Sequence, residues 1–184
     1  MKSFLYSLWE IIEAILVAVI AVFIIRYFLI QPFLVSGASM EPNFSSGDYL
    51  LVDEISYQFR EPQRGEAVVF KYPGDPGIYY IKRVIGLPNE KLTSKDGKVF
   101  IFNGANPDGF PLDEKYLPIG FKTSDFNEVV LSGKEYFVLG DNRNYSFDSR
   151  SWGSLKRDNI IGIVRLRLWP FNKVMAVEKP SYEY

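Results

Sequence analysis

Ser39 lies between small residues in the segment SGASMEP, residues 36–42, where it could act as a nucleophile. A serine nucleophile needs a base to take its proton, and in most serine hydrolases that base is histidine. The 184-residue chain contains no histidine and no cysteine. Ser-His-Asp catalysis, thiol catalysis and imidazole or thiolate metal sites are therefore excluded. The base for Ser39 must be a lysine, aspartate, glutamate or tyrosine.

Lys82 is one candidate base, because the segment YYIKRVIG, residues 79–86, places it in a strand-like apolar run. Side chains alternate along a strand, so Tyr80 and Val84 share the face of Lys82 and Arg83 lies on the other face. If the face of Lys82 points to solvent, the lysine is an ordinary charged surface residue. If it is buried, desolvation lowers the pKa of the amine and makes Lys82 a usable general base.

A second polar segment, GDNRNYSFDSRSWG at residues 140–153, follows directly on the apolar run YFVL. Its carboxylates could also supply a base for Ser39. By composition alone, however, the segment is typical of a solvated loop. Residue types by themselves therefore leave two candidate segments for the base.

The composition places these residues in a folded domain. Apolar residues make up 47% of the chain and aromatic residues 16%, which is enough for a packed core. The net charge of −1 gives no basic face of the kind that nucleic-acid binding requires.

The N-terminal segment Leu8–Ile30 is predicted to be a single transmembrane helix, about residues 8–30, within an anchor at 1–31. A helix of this length spans roughly 34 Å, and the hydrocarbon core of a bilayer measures about 30 Å. A buried core helix, a cleaved signal peptide and an in-plane amphipathic helix are alternatives. The last two fit less well, because no Ala-x-Ala-like site closely follows the apolar run and apolar residues surround the helix.

The remaining residues, 32–184, are predicted to form a β-rich catalytic domain, mainly β with partly barrel-like antiparallel sheets. Short runs rich in β-branched and aromatic residues, separated by Gly, Pro, Asn and Asp turns, indicate strands. These runs are 48–54, 66–72, 78–85, 98–103, 134–141 and 160–169. The Gly- and Pro-rich stretch at about 104–126 is predicted to be a long excursion from the sheet.

Taken together, these segments resemble a known family. The segment around Ser39, the runs GDYLLVDE (47–54) and RGEAVVFKYPGDPGIYYIKRVIGLP (64–88), and the polar segment 140–153 are similar to the ordered sequence boxes of bacterial type I signal peptidases. The resemblance implies a membrane-anchored serine protease of the signal-peptidase fold, with Ser39 as nucleophile and Lys82 as general base. It implies no cofactor and no metal.

The resemblance also assigns supporting residues. Ser146 matches a serine that orients the lysine amine, and Asp141, Asp148 and Arg150 match a charged network, although plain structural ion pairs are an alternative. In some members a serine hydroxyl two positions before the nucleophile helps to bind the oxyanion. Here Gly37 occupies that position, so we expect an oxyanion hole of backbone N–H groups or one completed by another group.

Two further departures from the family are Asn43, where Thr is more usual, and Tyr145, where Asn is common. The residues expected to line the substrate pockets are Phe33, Val35, Ile81 and Val84, with Met40 beside the nucleophile. The run LRLWPFNK, residues 166–173, could insert into the membrane interface through Trp169 and Phe171, or could pack as an edge strand.

The implied partners are the signal peptides of exported preproteins and the lipid bilayer, with no nucleic acid. The implied location is the bacterial cytoplasmic membrane, with the catalytic domain on its outer face, either periplasmic or extracellular. The sequence does not indicate an oligomeric state. Alternatives are a related Ser-Lys peptidase of the inner-membrane or conjugation type, a self-cleaving repressor, or an inactive membrane-tethered peptide-binding module. The repressor would need a DNA-binding domain where this chain has a hydrophobic segment.

Overall fold

The computed structural model describes residues 2–28, 30–180 and 182. Its first element is helix α1, Lys2–Phe28. From Tyr6 to Ala21 every described side chain of this helix is exposed. In the described part of the chain, no helical stretch is both long enough and apolar enough to cross a bilayer. The segment predicted to span the membrane at about residues 8–30 thus lies largely within α1, and its role as a membrane anchor stays a prediction.

Twelve β-strands and two short α-helices follow α1 in the described residues. In chain order the strands are β1 (Ile30–Leu34), β2 (Tyr49–Asp53), β3 (Ala67–Tyr72), β4 (Asp75–Gly86), β5 (Lys91–Lys95), β6 (Lys98–Asn103), β7 (Asn106–Pro111), β8 (Phe126–Val130), β9 (Glu135–Leu139), β10 (Leu155–Lys156), β11 (Ile160–Trp169) and β12 (Met175–Ala176). The helices are α2 (Ser56–Phe59) and α3 (Ser149–Trp152).

The strands form two antiparallel sheets. The main sheet has the order β1-β2-β11-β3-β4-β9-β10, with β12 paired to β11, and the second has the order β7-β6-β5-β8. In the main sheet β3 pairs with only one edge of β4, and β9 pairs with the other edge from Arg83 onward. The other edge of the first part of β4, residues 75–82, therefore has no strand partner among the described residues.

All six predicted strands are confirmed: β6 and β11 have the predicted bounds, β2, β3 and β9 are one to three residues shorter, and β4 extends beyond its predicted run at both ends. Strands β1, β5, β7, β8, β10 and β12 were not predicted; β10 and β12 are only two residues long, and β5, with the sequence KLTSK, is largely polar. The stretch 104–126 is not wholly an excursion. Its first part forms β7, which pairs with β6 and extends the second sheet.

Strands β5 and β6 form a hairpin whose turn the sequence does indicate. Lys95 pairs with Lys98, which leaves Asp96 and Gly97 as a two-residue loop. Both loop residues have positive φ, 56° and 84°, as a type I′ turn requires. An Asp-Gly pair meets this requirement at little cost, because Gly has no Cβ and Asp tolerates the left-handed region.

Candidate active site

The structure brings the hydroxyl of Ser39 and the amine of Lys82 together. Lys82 Nζ donates a hydrogen bond to Ser39 Oγ at 2.7 Å and a second one to the carbonyl of Ile81 at 2.9 Å. Ser39 lies 43 residues before Lys82 in the chain, so the contact depends on the fold. Of the two candidate segments for the base, the strand lysine is therefore the one in direct contact.

Ser39 lies in a loop that backbone hydrogen bonds close at its base. The N–H of Val35 donates to the carbonyl of Asp48, and the N–H of Gly47 donates to the carbonyl of Val35, both at 2.9 Å. Gly37 in this loop has a φ of +97°, a value that residues with a Cβ rarely adopt. The small residues of SGAS thus let the chain turn sharply just before the nucleophile.

Arg167 of β11 binds the same loop at two points. Its guanidinium forms an ion pair with Asp48 at 2.9 Å and donates to the carbonyl of Asn43. Arg167 and Asp48 are both buried, so the ion pair is shielded from water. The loop that carries Ser39 is therefore fixed both by its own backbone hydrogen bonds and by Arg167.

Lys82 lies on the buried half of β4, opposite Val68 of β3. Only 3% of its surface is exposed. Burial lowers the pKa of the amine to about 8, although the charges of Asp148 and Asp141 oppose the shift. The ring of Tyr80, with its centroid 5.3 Å from Nζ, covers one side of the amine. A substantial fraction of Lys82 is therefore uncharged in mildly alkaline solution and able to accept a proton.

Gly140 allows the polar segment 140–153 to approach the nucleophile closely. A Cβ at this position would overlap both the hydroxyl of Ser146 and the backbone carbonyl of Ser39. The next residues also bind the nucleophile loop. Asn142 donates from its backbone N–H to the carbonyl of Ser39 at 3.0 Å and from its side chain to that of Ala38 at 3.1 Å.

Two buried ion pairs support this segment. Asp141 accepts hydrogen bonds from Arg83 at 2.8 and 2.6 Å, and Asp148 pairs with Arg150 at 2.8 Å. Asp148 also accepts from the N–H of Gly140 at 3.1 Å. Burial alone would raise the pKa of Asp148, but the hydrogen bonds and charge of Arg150 hold it below its usual value. Both carboxylates thus pair with arginine side chains, and neither is the partner of Ser39.

Ser146 does not make the predicted contact with Lys82. Its hydroxyl is buried and has no hydrogen-bond partner among the described residues. It comes close enough to Asp148 to help lower the pKa of that carboxyl, but without the geometry of a hydrogen bond. Gly37 donates weakly from its N–H to the hydroxyl of Ser46, at 3.4 Å, and no atom occupies the space where its Cβ would lie.

Sequence reasoning missed residues that join these parts. Arg83 was placed only on the opposite face from Lys82, yet it carries the ion pair with Asp141. Asn43 was noted as a departure from the family, and it donates to Asp141 at 2.9 Å and to the carbonyl of Tyr116 at 3.1 Å. Asn142 was counted only as part of a polar run. Arg83 directly follows Lys82, and Asn142 directly follows Asp141. This adjacency to predicted site residues was the signal in the sequence that could have found them.

A cavity of about 290 Å³ opens beside the reacting pair, and we call it the cleft. Its lining residues are Phe33, Leu34, Val35, Ser36, Ser39, Leu50, Val69, Ile78, Tyr79, Tyr80, Ile81 and Lys82. The predicted pocket residues Phe33, Val35 and Ile81 all line it. The prediction for Val84 is wrong. This residue does not line the cleft but is buried in the apolar core, and Tyr80 packs against the same cluster. Met40 is also buried in the core.

The lining shows that the main sheet curls. Residues of β1 and β4 face each other across the cleft, although β2, β11 and β3 lie between them in the sheet order. The curvature agrees with the predicted partly barrel-like fold. It leaves an apolar groove that ends at a hydroxyl and a buried amine.

This arrangement suits acyl transfer by a lysine-assisted serine, because the hydroxyl has a base in contact and a groove that can hold a peptide. Among the described residues no cluster of three or more acidic or other metal-binding side chains is arranged to hold a metal ion. The contact of Ser39 with Lys82 beside the cleft is the arrangement expected of a serine hydrolase with a lysine base.

Comparison with known proteins agrees with that class. Residues 8–169 match the family model of signal peptidases, peptidase family S26. The chain therefore belongs to the signal peptidase family S26, whose members are serine proteases.

Individual relatives carry the same name. A signal peptidase I of Bacillus licheniformis is 35% identical over 183 residues, which cover 94% of each chain. A probable signal peptidase I-2 of Synechocystis is 36% identical over 146 residues, or 76% of this chain and 63% of that protein. A crystal structure of a signal peptidase I from Enterococcus faecalis, 30% identical, matches with a TM-score of 0.47 over 56% of this chain and 97% of that one.

Proposed function

We propose that this protein removes N-terminal signal peptides from exported preproteins, with Ser39 as nucleophile and Lys82 as general base. One observation carries the assignment of roles: the Lys82 amine is buried and lies 2.7 Å from the Ser39 hydroxyl. The membership in the signal peptidase family and the names of the relatives support the substrate class.

In the reaction, neutral Lys82 takes the proton of Ser39 while Ser39 Oγ attacks the scissile carbonyl carbon. The tetrahedral oxyanion is stabilised by backbone N–H groups around Ser39, because Gly37 offers no hydroxyl there. When the intermediate collapses, the C–N bond breaks and Lys82 returns the proton to the leaving amine. Lys82 then deprotonates a water that attacks the acyl-enzyme, which releases the signal peptide and restores Ser39.

The cleft suits an extended peptide. Its walls are β1 and the part of β4 that has no strand partner on one edge, so main-chain groups there can pair with a substrate strand. Its lining beside Ser39 is apolar and shallow. Small side chains at positions −1 and −3 before the cut would fit such walls, and larger ones would meet them sterically.

We also propose that residues 1–31 anchor the chain in the cytoplasmic membrane, with the catalytic domain, residues 32–184, on the outer face. The exposed apolar side chains of α1, including Ile12, Ile15 and Leu16, support this, because lipid would cover them. Ser39 follows Ile30 by nine residues, a distance of at most roughly 30 Å in extended chain. The nucleophile is thus confined near the membrane surface.

A second lipid contact is proposed at the end of β11. Trp169 and Phe171 are 50% and 78% exposed. Their rings pack edge to face, with the ring centroids 4.6 Å apart. Exposed aromatic pairs of this kind favour the membrane interface. The pair therefore offers the catalytic domain a contact with the bilayer in addition to α1.

The test is cleavage of a preprotein by the detergent-solubilised full chain at mildly alkaline pH. Ser39→Ala and Lys82→Ala should each reduce kcat at least about 10³-fold, because each removes a reacting group. Lys71→Ala provides the control, since Lys71 is an exposed lysine on the neighbouring strand β3. Unchanged turnover in either variant would refute the assigned roles. Peptide binding without any cleavage by the wild type would favour the inactive binding module.

A further inference from the structure

The rings of Phe33 and Tyr79 meet across the cleft, and we call these two residues the aromatic pair. Their ring centroids lie 5.8 Å apart with the planes inclined at 53°. Tyr79 is 48% exposed, whereas Leu50 and Val69 at the base of the cleft are buried. The aromatic pair therefore lies at the mouth of the cleft, where a side chain would enter.

The cleft has two layers of facing side chains. Residues two apart on a strand point to the same side, about 6.6–6.8 Å from each other. Phe33 of β1 and Val35, the second residue after it just beyond the strand, line one side of the cleft, and Tyr79 and Ile81 of β4 line the other. Ile81 directly precedes Lys82, so Val35 and Ile81 form the layer beside the reacting pair. The aromatic pair forms the next layer outward.

The side chains of an extended substrate have the same spacing. Its side chains at −1 and −3 point to one side and lie about 6.6–6.8 Å apart. With the scissile carbonyl at Ser39, the −1 side chain meets the layer of Val35 and Ile81. The −3 side chain then meets the aromatic pair. This step rests on the function proposed above.

We propose that Tyr79 is a specificity-determining residue, whose ring, resting on Phe33, narrows the cleft where the −3 side chain enters. A −3 alanine fits beside the two rings. A leucine or phenylalanine at −3 must push the Tyr79 ring away from Phe33. The contact between the two rings is then lost. Selection at −3 is then set by one half-exposed side chain, whereas selection at −1 is set by side chains packed on the core.

The experiment measures kcat/KM of the full chain in detergent on preproteins that keep alanine at −1 and carry alanine, valine, leucine or phenylalanine at −3. For the wild type we expect kcat/KM to fall at least about tenfold from alanine to leucine, since one misfitting group in an apolar pocket costs about 10- to 200-fold. Tyr79→Ala should reduce this difference to about threefold or less while alanine at −3 is still cleaved.

Two variants serve as controls. Tyr79→Phe retains the ring and should keep the wild-type order of −3 residues. Phe59→Ala removes an aromatic ring that is 83% exposed on α2 and should leave the order unchanged. A matched series with leucine and phenylalanine at −1 should be cleaved as poorly by Tyr79→Ala as by the wild type.

Tyr79→Ala with the wild-type order at −3, or with equal relaxation at −1 and −3, would overturn the proposal. Equal wild-type cleavage of alanine and leucine at −3 would also overturn it, and would leave the proposed function intact. A wild-type chain that cleaves none of these preproteins would instead refute the proposed function itself.

Discussion

Two regions of the β domain bury side chains of opposite character. Around Ser39 and Lys82 the buried residues include charged ones, namely Asp48, Lys82, Arg83, Asp141, Arg143, Asp148 and Arg167. Between the second sheet and the main sheet the buried cluster is apolar, namely Ile85, Leu92, Val99, Ile101, Leu112, Leu131, Phe137 and Leu139. Burial of charge costs free energy unless it is paired, whereas burial of apolar surface stabilises. The first region contains the proposed catalytic pair, and the second contributes stability through apolar burial.

The largest expected difference between the regions concerns their glycines. Gly140→Ala should reduce kcat at least about 100-fold, because the new Cβ overlaps Ser146 and the carbonyl of Ser39, and displacements of about 1 Å in a reacting pair can cost that much. Gly133→Ala is the matched control before β9, where the nearest atom to a Cβ would be Asn89 Oδ1 at 3.5 Å. The measurement is kcat on one preprotein, with circular dichroism to confirm folding. Equal activity of both variants would show that the close approach at Gly140 is unimportant.

Lys82→Met should make the protein inactive but more stable at pH 7. The pKa of Lys82 is lowered in the folded state from 10.5 to about 8, so folding disfavours the protonated amine. Below pH 8 this penalty is fully present, and it disappears as the pH rises toward 10.5. Removing it should raise the free energy of unfolding by an amount on the order of 3 kcal/mol.

The measurement for Lys82→Met is urea unfolding of the variant and the wild type at pH 7 and at pH 10.5. The advantage of the variant should shrink between the two pH values. An equal difference at both would mean that the buried charge is not its cause. As a control, Lys71→Met on the exposed side of β3 should change the stability little at either pH.

The two regions also differ in how far the sequence predicts them. The turn between β5 and β6 was predictable from Asp96 and Gly97, although strand β5 itself was not predicted. The contact of Ser39 with Lys82 was predictable because a chain without histidine leaves few bases, and because the surrounding boxes resemble a family. Both predictions use residues close together in the chain or known motifs.

Contacts between distant residues were not predictable in the same way. Asn43 and Asp141 are 98 residues apart, and nothing local in either segment specifies their hydrogen bond. The contact of Phe33 with Tyr79 depends on the curl of a sheet in which three strands lie between β1 and β4. Burial of Lys82, rather than exposure, likewise depends on what packs on β4. These features follow from the tertiary structure and only then from the sequence.

The pH dependence tests whether the buried charge of the first region takes part in the reaction. In the proposed reaction neutral Lys82 is the active form, so kcat/KM should rise about tenfold per pH unit below the pKa and level off above about pH 8. The measurement is cleavage of one preprotein from pH 6 to pH 10, with stability checked at each end. A flat profile would contradict a lysine base.

The smallest expected effect compares two serines of the polar segment, Ser146 and Ser149. The hydroxyl of Ser146 is buried with no hydrogen-bond partner among the described residues, whereas that of Ser149 accepts from the N–H of Val138 at 3.0 Å. Removing a hydroxyl that lacks a well-formed hydrogen bond costs less stability than removing a paired one, which leaves a buried N–H unsatisfied at about 1–3 kcal/mol. Ser146→Ala should therefore change the free energy of unfolding little, and Ser149→Ala should lower it.

For activity we expect the reverse of the stability result: Ser146→Ala should lose activity and Ser149→Ala should keep it. If the Ser146 hydroxyl turns to the amine of Lys82 during the reaction, as its place beside Gly140 permits, then Ser146→Ala should reduce kcat about tenfold with KM nearly unchanged. Ser149→Ala should keep kcat, because its hydroxyl serves the backbone of β9. The measurements are kcat, KM and urea unfolding for both variants. A loss of stability without a loss of kcat in Ser146→Ala would place Ser146 with the structural residues and restrict the reacting group to Ser39 and Lys82.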